Sequence, residues 1–223
     1  MNRQRPLLLG HRGARASVSV PENTLASFDL CLQHGCDGFE FDVRRTSVGV
    51  PVVCHDADFR GISLSGASPR DLAPWQEQGF LPSLEEVLHR YSPLCFLDIE
   101  IKDAGLETQV LELLRQHPPQ HGYVVTSFLS EVLSRLRELD PDISLGFLWE
   151  RSSTLWGSLH ASWVLPERTL LDGNLASALK AAGKRIGTWT VNDPADMLHF
   201  SALGAEMLIS DDTVRLVNTF SVS

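Results

Sequence analysis

Two short runs put charged side chains where an apolar strand is expected. In Phe39-Glu40-Phe41-Asp42-Val43, Glu40 and Asp42 are two residues apart. In an extended chain they share one face, and Phe39, Phe41 and Val43 take the other. A strand covered on both sides cannot bury two carboxylates cheaply unless something neutralises them. A divalent cation is the simplest neutraliser; an ion pair with a neighbouring strand is the alternative that this motif alone leaves open. Leu97-Asp98-Ile99-Glu100-Ile101-Lys102 repeats the pattern, with Asp98, Glu100 and Lys102 opposite Leu97, Ile99 and Ile101. Adding Glu100 to Glu40 and Asp42 makes three hard oxygen donors, which suit Mg²⁺ or Ca²⁺ better than Zn²⁺. Lys102 and Arg12 add positive charge of the kind that grips a phosphate oxyanion, Arg as a bidentate fork and Lys as a point charge. An internal Lys102–Glu100 bridge is the competing reading. Both residues close a strand, at the end where barrel sites form, and this favours the phosphate role.

Two histidines also close strands: His11, followed by Arg12, and His55, followed by Asp56. Cleaving a phosphodiester expels an alkoxide, so it needs a proton donor on one side of phosphorus and a base on the other. Two histidines fill both roles near neutral pH. The residue types do not say which is acid and which is base. The other six histidines (34, 89, 117, 121, 160 and 199) fall on helices or loops and read as surface or helix-end residues. Cys54 adjoins His55 but points to the opposite face of its strand, as a small buried hydrophobe would.

The elements that must position these groups alternate short apolar runs with helical patterns, the signature of βα units around a parallel sheet. Strands are expected at Pro6–His11, Gly38–Val43, Val50–His55, Leu94–Ile101, Tyr123–Ser127, Ser144–Leu148, Ala161–Leu165, Arg185–Val191 and Met207–Ser210. Helices are expected near Asn23–His34, Ser83–Tyr91, Leu106–Gln116, Ser130–Leu139, Gly173–Ala182, Pro194–Leu203 and Asp212–Thr219, the first with Asn23 as its N-cap. These are nine strands, one too many for an eight-stranded barrel. Val50–His55 is the extra one, pairing back on its predecessor through a turn at Gly49. Ala57–Phe80, rich in Gly, Ser and Pro, fits no βα unit and reads as an insertion at the active-site end. Between Glu150 and Asp172 the pattern does not separate helix from loop.

The chain of 223 residues, 43% hydrophobic, suffices for one cored domain spanning 1–223, a compact size for an α/β barrel. A formal charge of -9 argues against a non-specific binder of nucleic acid or anionic membranes. No segment reaches the length of a membrane span, and the apolar run after Arg3 and Arg5 is too short for a secretion signal. Cys31, Cys36, Cys54 and Cys95 form no CxxC pair and read as reduced thiols of a cytoplasmic protein.

Taken in order, these residues resemble the glycerophosphodiester phosphodiesterase family. The matching motifs are His11-Arg12-Gly13, Pro21-Glu22-Asn23-Thr24 with Phe28, Glu40-Phe41-Asp42, and His55-Asp56. They continue with Leu81-Pro82-Ser83-Leu84-Glu85-Glu86, Glu100-Ile101-Lys102, Ser127-Phe128 and Trp189-Thr190-Val191-Asn192. Each piece is weak alone, but the ordered set covers nearly the whole chain. The resemblance implies a (β/α)₈ TIM barrel with a short insertion after the second strand, at 57–80. It implies Glu40, Asp42 and Glu100 as ligands of one divalent cation, Mg²⁺ or Ca²⁺, and His11 and His55 as the acid–base pair. Arg12 and Lys102 would bind phosphate, and Trp189 would wall the pocket beside the glycerol. The reaction implied is metal-dependent hydrolysis of a small-molecule glycerophosphodiester to glycerol 3-phosphate and an alcohol such as choline or ethanolamine.

Two departures stand out. Val48, where the family commonly has Asp, precedes Gly49, and Glu206-Met207-Leu208-Ile209-Ser210-Asp211-Asp212-Thr213 replaces a usual Asp-Gly-Ile-Ile-Thr-Asp-x-Pro. Both are expected to lie away from the catalytic groups. Asp98 is an extra inward carboxylate, expected either to support the cation site or to pair with Lys102. Competing functions are a lysophospholipase D or cyclising phospholipase on a related barrel, with Phe59, Trp75, Phe80 and Trp156 lining an acyl channel, and a barrel that binds phosphodiesters without turnover.

Overall fold

The computed structural model describes residues 5–150, 157 and 160–221. Eight of its strands run parallel and close on themselves: β1 (Leu7–Gly10), β2 (Gly38–Arg45), β6 (Phe96–Ile101), β7 (Tyr123–Ser127), β8 (Leu145–Trp149), β9 (Trp163–Pro166), β10 (Arg185–Thr188) and β11 (Met207–Ser210). Pairing of β1 with both β11 and β2 completes the ring. The extra strand is the one expected at Val50–His55. β3 (Pro51–Val53) turns back antiparallel on β2, with Val43 opposite Val53 and Arg45 opposite Pro51. Gly49 takes a positive φ of 83° in that turn, which a residue without a Cβ adopts at little cost.

Helices cover the outside: α1 (Leu25–Gln33), α3 (Leu84–Tyr91), α4 (Glu107–Gln116), α5 (Ser130–Leu139), α6 (Gly173–Ala181), α7 (Pro194–Leu203) and α8 (Thr213–Phe220). The alternation in β2 decides which side is which. Phe39 and Phe41 face outward, where Phe39 stacks on Phe28 of α1 at 4.1 Å and meets Tyr91 of α3 edge-on at 5.0 Å. Each such buried ring contributes about 1.5–3 kcal/mol. Inside the barrel, Leu9, Leu148, Trp163, Leu165, Met207 and Ile209 form a separate apolar cluster. The carboxylates of β2 and β6 share that interior.

Three expectations change. Helix α1 is capped by Thr24, whose hydroxyl accepts from Ser27 N–H at 3.2 Å, and not by Asn23, which has φ 56° and turns its amide into the barrel. The segment after His55 is more ordered than its Gly, Ser and Pro content suggested. It holds a short hairpin, β4 (Asp58–Phe59) with β5 (Ile62–Ser63), and a helix, α2 (Pro69–Glu77). Pro74 inside helix α2 masks it in the sequence pattern, yet Pro69 at its start and the Ser68–Asp71 capping box favour its nucleation. Leu64, Ala67, Leu72 and Leu81 bury against Val52 and Cys54 of the β3 segment, so this excursion has an apolar cluster of its own. In the uncertain stretch, β9 and a 3-10 turn at Arg168–Leu170 are seen; Trp156, like residues 151–155, lies outside the described residues.

Strands β2 and β6 approach closely at their start, where a Cβ on Gly38 would lie 1.9 Å from the Phe96 carbonyl oxygen. Gly38→Ala therefore forces apart the two strands that carry Glu40, Asp42, Asp98 and Glu100. A loss of about 1–3 kcal/mol, the usual range for overpacking, is expected in urea unfolding. An unchanged midpoint would show that the strands yield freely there.

Candidate active site

Strand register brings the charged runs together. Glu40 pairs in sequence with Asp98, and Asp42 with Glu100, across adjacent parallel strands. All four side chains are buried. One oxygen from each of Glu40, Asp42 and Glu100 lies within 4.8 Å of the others. Glu40 Oε2 accepts the Arg12 backbone N–H at 2.9 Å, whereas Glu40 Oε1 is buried with no partner. Three converging carboxylates, one of them with a lone acceptor oxygen, are what a hard divalent cation would satisfy. These donors fit Mg²⁺ or Ca²⁺.

Cations of the chain already crowd the same carboxylates. Lys102 Nζ donates to Glu100 Oε1 at 2.8 Å and to Asp42 Oδ1 at 3.1 Å. Arg12 Nε lies 3.2 Å from Asp42 Oδ2, and Arg12 Nη1 donates to Glu22 at 2.7 Å. Asn23 Nδ2 donates to Asp42 Oδ2 at 2.8 Å, which is the use its left-handed backbone serves. The internal Lys102–Glu100 bridge thus exists, beside a cation-binding geometry and not in place of it. Asp98 is no partner of Lys102. Its Oδ1 accepts from Thr126 at 2.7 Å, and its Oδ2 is buried without a partner.

The turn carrying Arg12 is held by the start of α1. The Arg12 carbonyl accepts from Asn23 N–H at 3.0 Å and Ser27 Oγ at 3.1 Å. Gly13 follows with φ 81°, and a Cβ there would lie 2.5 Å from Ser27 Oγ. This explains His11-Arg12-Gly13 and Glu22-Asn23-Thr24 as one contact seen from two places in sequence.

Burial pushes the Glu40 carboxyl well above its usual range, with Asp42 and Glu100 adding repulsion. Burial likewise lifts Asp98 to about 8 and Glu100 to about 7. Asp42 goes the other way: burial alone would raise it, but Lys102, Arg12 and Asn23 outweigh that and hold it low. Burial lowers His55 despite the pull of Asp42.

The two histidines are held differently. His11 Nδ1 meets Asp211 Oδ1 at 2.7 Å, and His11 Nε2 lies 3.9 Å from Glu40 Oε2. Asp211 also accepts from Arg15 at 3.1 Å and from Asn192 Nδ2 at 2.9 Å. His11, Asn192 and Arg15 hold Asp211 far below the normal carboxylate range against the opposing effect of burial. The divergent segment 206–213 therefore does not lie away from the candidate groups: it supplies the carboxylate that orients His11. The signal was present, since Asp211 is the acid of that terminal motif, but no local pattern pairs residue 211 with residue 11. His55 Nδ1 instead meets the exposed Asp56 at 2.7 Å.

His11, Arg12, Glu40, His55, Glu100 and Lys102 line one cleft of about 320 Å³ at the C-terminal end of the barrel, closed on the far side by Phe128, Leu148, Trp189 and Ile209. Trp189 is fixed there by its Nε1–H donating to the Leu165 carbonyl at 2.9 Å and by Phe128 edge-on at 5.5 Å. Of the residues expected to act as acid–base pair, cation ligands and substrate binders, all line this cleft except Asp42, which is buried beside Lys102 and Arg12. Of the residues that the competing phospholipase reading placed along an acyl channel, Phe59, Trp75 and Phe80 gather around the Arg60 guanidinium, beside the excursion that follows β3.

Residues 11–215 match the family described as the glycerophosphoryl diester phosphodiesterase family. The chain is 30% identical to the Bacillus subtilis protein YhdW, covering 92% of this chain and 93% of that one. It is 27% identical to a glycerophosphodiester phosphodiesterase of Caldanaerobacter subterraneus subsp. tengcongensis, over 95% and 96% of the two chains. Among solved structures, the Oleispira antarctica phosphodiesterase OLEI02445, in complex with its product sn-glycerol-3-phosphate, superposes with a TM-score of 0.83 at 27% identity and covers 96% of each chain. A glycerophosphodiester phosphodiesterase from Parabacteroides distasonis shares the fold with a TM-score of 0.86 at 21% identity, over 97% of each chain.

Protonated Glu40, Asp98 and Glu100 make the metal-free fold sensitive to alkali. Their folded values exceed the unfolded ones, so the fold binds more protons in between and stability falls as pH rises through that window. Asp42 and Asp211 act oppositely, their contribution disappearing as pH falls below the ordinary Asp range. Thermal unfolding in chelator is expected to show a midpoint declining from about pH 5 to about pH 8. Added Mg²⁺ or Ca²⁺ should raise the midpoint most at the alkaline end, a hundredfold excess over Kd adding about 2.7 kcal/mol of stability. A midpoint indifferent to both cations at pH 8 would contradict a cation site.

Proposed function

Because the chain belongs to the glycerophosphoryl diester phosphodiesterase family, we propose that it hydrolyses glycerophosphodiesters to glycerol 3-phosphate and an alcohol, using one Mg²⁺ or Ca²⁺ held by Glu40, Asp42 and Glu100. The observation that carries this reading is the convergence of three buried carboxylates, one with a lone acceptor oxygen, between two histidines in a single cleft. Bound there, the cation supplies Lewis-acid polarisation of a phosphoryl oxygen and lowers the pKa of the attacking hydroxyl or water.

The chain's own groups do the rest. Arg12 and Lys102 place positive charge against the phosphoryl oxygens, where charge grows as the bond to the leaving oxygen breaks. Both are held in the cleft by the acids that neutralise them, which fixes their direction before substrate arrives. Asp211 and Asp56 each accept the Nδ1 proton of a histidine, so His11 and His55 present Nε2 for proton transfer. One takes the proton of the attacking oxygen and the other returns one to the departing alcohol. Trp189 and Phe128 form an apolar face suited to the carbon side of glycerol. We place the activity in the cytoplasm, in keeping with four unpaired, buried thiols. No described helix is long and apolar enough to cross a membrane.

The test is release of glycerol 3-phosphate from a panel of glycerophosphodiesters with Mg²⁺ or Ca²⁺. Release is expected, and chelator should stop it. Glu40→Ala should lose the cation in a direct binding titration. His11→Ala should bind it normally while kcat falls by about 10²–10⁴-fold, the usual worth of a positioned acid or base. Turnover confined to lysophosphatidylcholine would move the assignment to a lysophospholipase D, and an unimpaired His11→Ala would falsify the acid–base pair.

A further inference from the structure

A second cleft, of about 250 Å³, adjoins the first and shares His55 with it. It is built from the loop after β1, the end of β3 and the excursion that follows. The apolar wall of the first cleft comes instead from the ends of β7, β8, β10 and β11, strands that contribute nothing to the second. A phosphodiester centred on the carboxylates therefore has one arm against Trp189 and Phe128 and the other passing His55 into the second cleft.

The chemistry of this second cleft is specific. Arg60 lies 4.5 Å from the Trp75 ring centroid, 5.1 Å from Phe80 and 5.8 Å from Phe59. Phe59 and Trp75 also brace each other edge-on at 5.8 Å. Three rings thus fix the guanidinium in place, and among the described residues no carboxylate pairs with it, so its N–H donors are available. Asp58 lines the same cleft and likewise has no hydrogen-bond or ion-pair partner there, and Asp56 follows, exposed beside His55. Fixed donors, free acceptors and the ring of Phe59 or Phe80 together suit a polyhydroxylated carbon skeleton, which both donates and accepts. A quaternary ammonium group is less well served: Arg60 competes for the rings that would attract it and presents a like charge, while of the acids lining the cleft Glu22 is already paired with Arg12 and Arg15 and Asp56 with His55, which leaves Asp58 alone to draw it.

Resting on the hydrolase reading above, we propose that this cleft is the leaving-group subsite and selects a polyol headgroup, such as glycerol or inositol, over choline, with Arg60 and Asp58 as its specificity-determining residues. The alcohol oxygen then leaves beside His55, which is placed to protonate it.

The experiment compares glycerophosphoinositol with glycerophosphocholine, using the full chain with Mg²⁺ or Ca²⁺. kcat/KM is expected to favour the inositol diester by about tenfold or more, the worth of one hydrogen bond to a charged group. Arg60→Ala should raise KM for the inositol diester by about tenfold with kcat nearly unchanged, and should leave or lower KM for the choline diester, the signature of lost uniform binding. Arg60 and Asp58 are both exposed, so Asp58→Asn gives a second, independent variant with no core cavity. Equal kcat/KM for the two diesters, or a preference that survives both substitutions, would overturn the subsite. If the unaltered protein cleaves neither compound but another glycerophosphodiester of the panel, the subsite falls and the hydrolase reading stands; if it cleaves none of the panel, the hydrolase reading falls, and the subsite with it.

Discussion

Inside a closed barrel, four carboxylates occupy two adjacent strands with almost no access to water. Ionised together they would repel one another and forfeit hydration, a cost of several kcal/mol for each ion. The surroundings can be understood as answers to that problem. Asp42 receives Lys102, Arg12 and Asn23 and stays charged. Glu40, Glu100 and Asp98 retain protons more readily, or await a cation, and the lone oxygen of Glu40 marks the place. Outside the strands, Phe28, Phe39, Phe41 and Tyr91 pack as a rigid aromatic layer, so the electrostatic strain within is borne by a firmly buried sheet.

That arrangement ties catalysis to packing. Arg12 reaches Asp42 because its turn is strapped to α1 through Ser27, and Asn23 reaches it because the helix cap falls one residue later, at Thr24. The two histidines differ in how firmly they are held. His11 leans on Asp211, itself bound by Arg15 and Asn192, and forms part of a network that joins both ends of the chain. His55 leans on a neighbour in sequence that is open to solvent. One ring is built into the barrel; the other sits where the barrel meets its excursion, a natural place for an alcohol to leave.

Much of this was legible in sequence. Period-two placement of acids within apolar runs is enough to put Glu40, Asp42, Asp98 and Glu100 on inward faces, because a strand has only two faces and the hydrophobic residues claim the other. The alternation of strands and helices and the hairpin turn at Gly49 follow from equally local rules, whereas the histidines stand out through the family resemblance. Helix α2 did not, since Pro74 hides it from any propensity argument, and Asn23 looked like a cap because caps and buried amides use the same residue types.

Pairings between distant residues belong to the tertiary structure alone. Nothing local joins Asp211 to His11, across 200 positions, or lays Arg60 over Trp75 and Phe80. A linear pattern reports which face a side chain takes, whereas ring closure of the barrel decides which strand ends become neighbours. The sequence determined the acids, the histidines and the chemistry they favour. Closure between β1 and its two neighbours, β11 and β2, decided how His11 is oriented. The packing of the excursion on β3 decided what lies beyond His55.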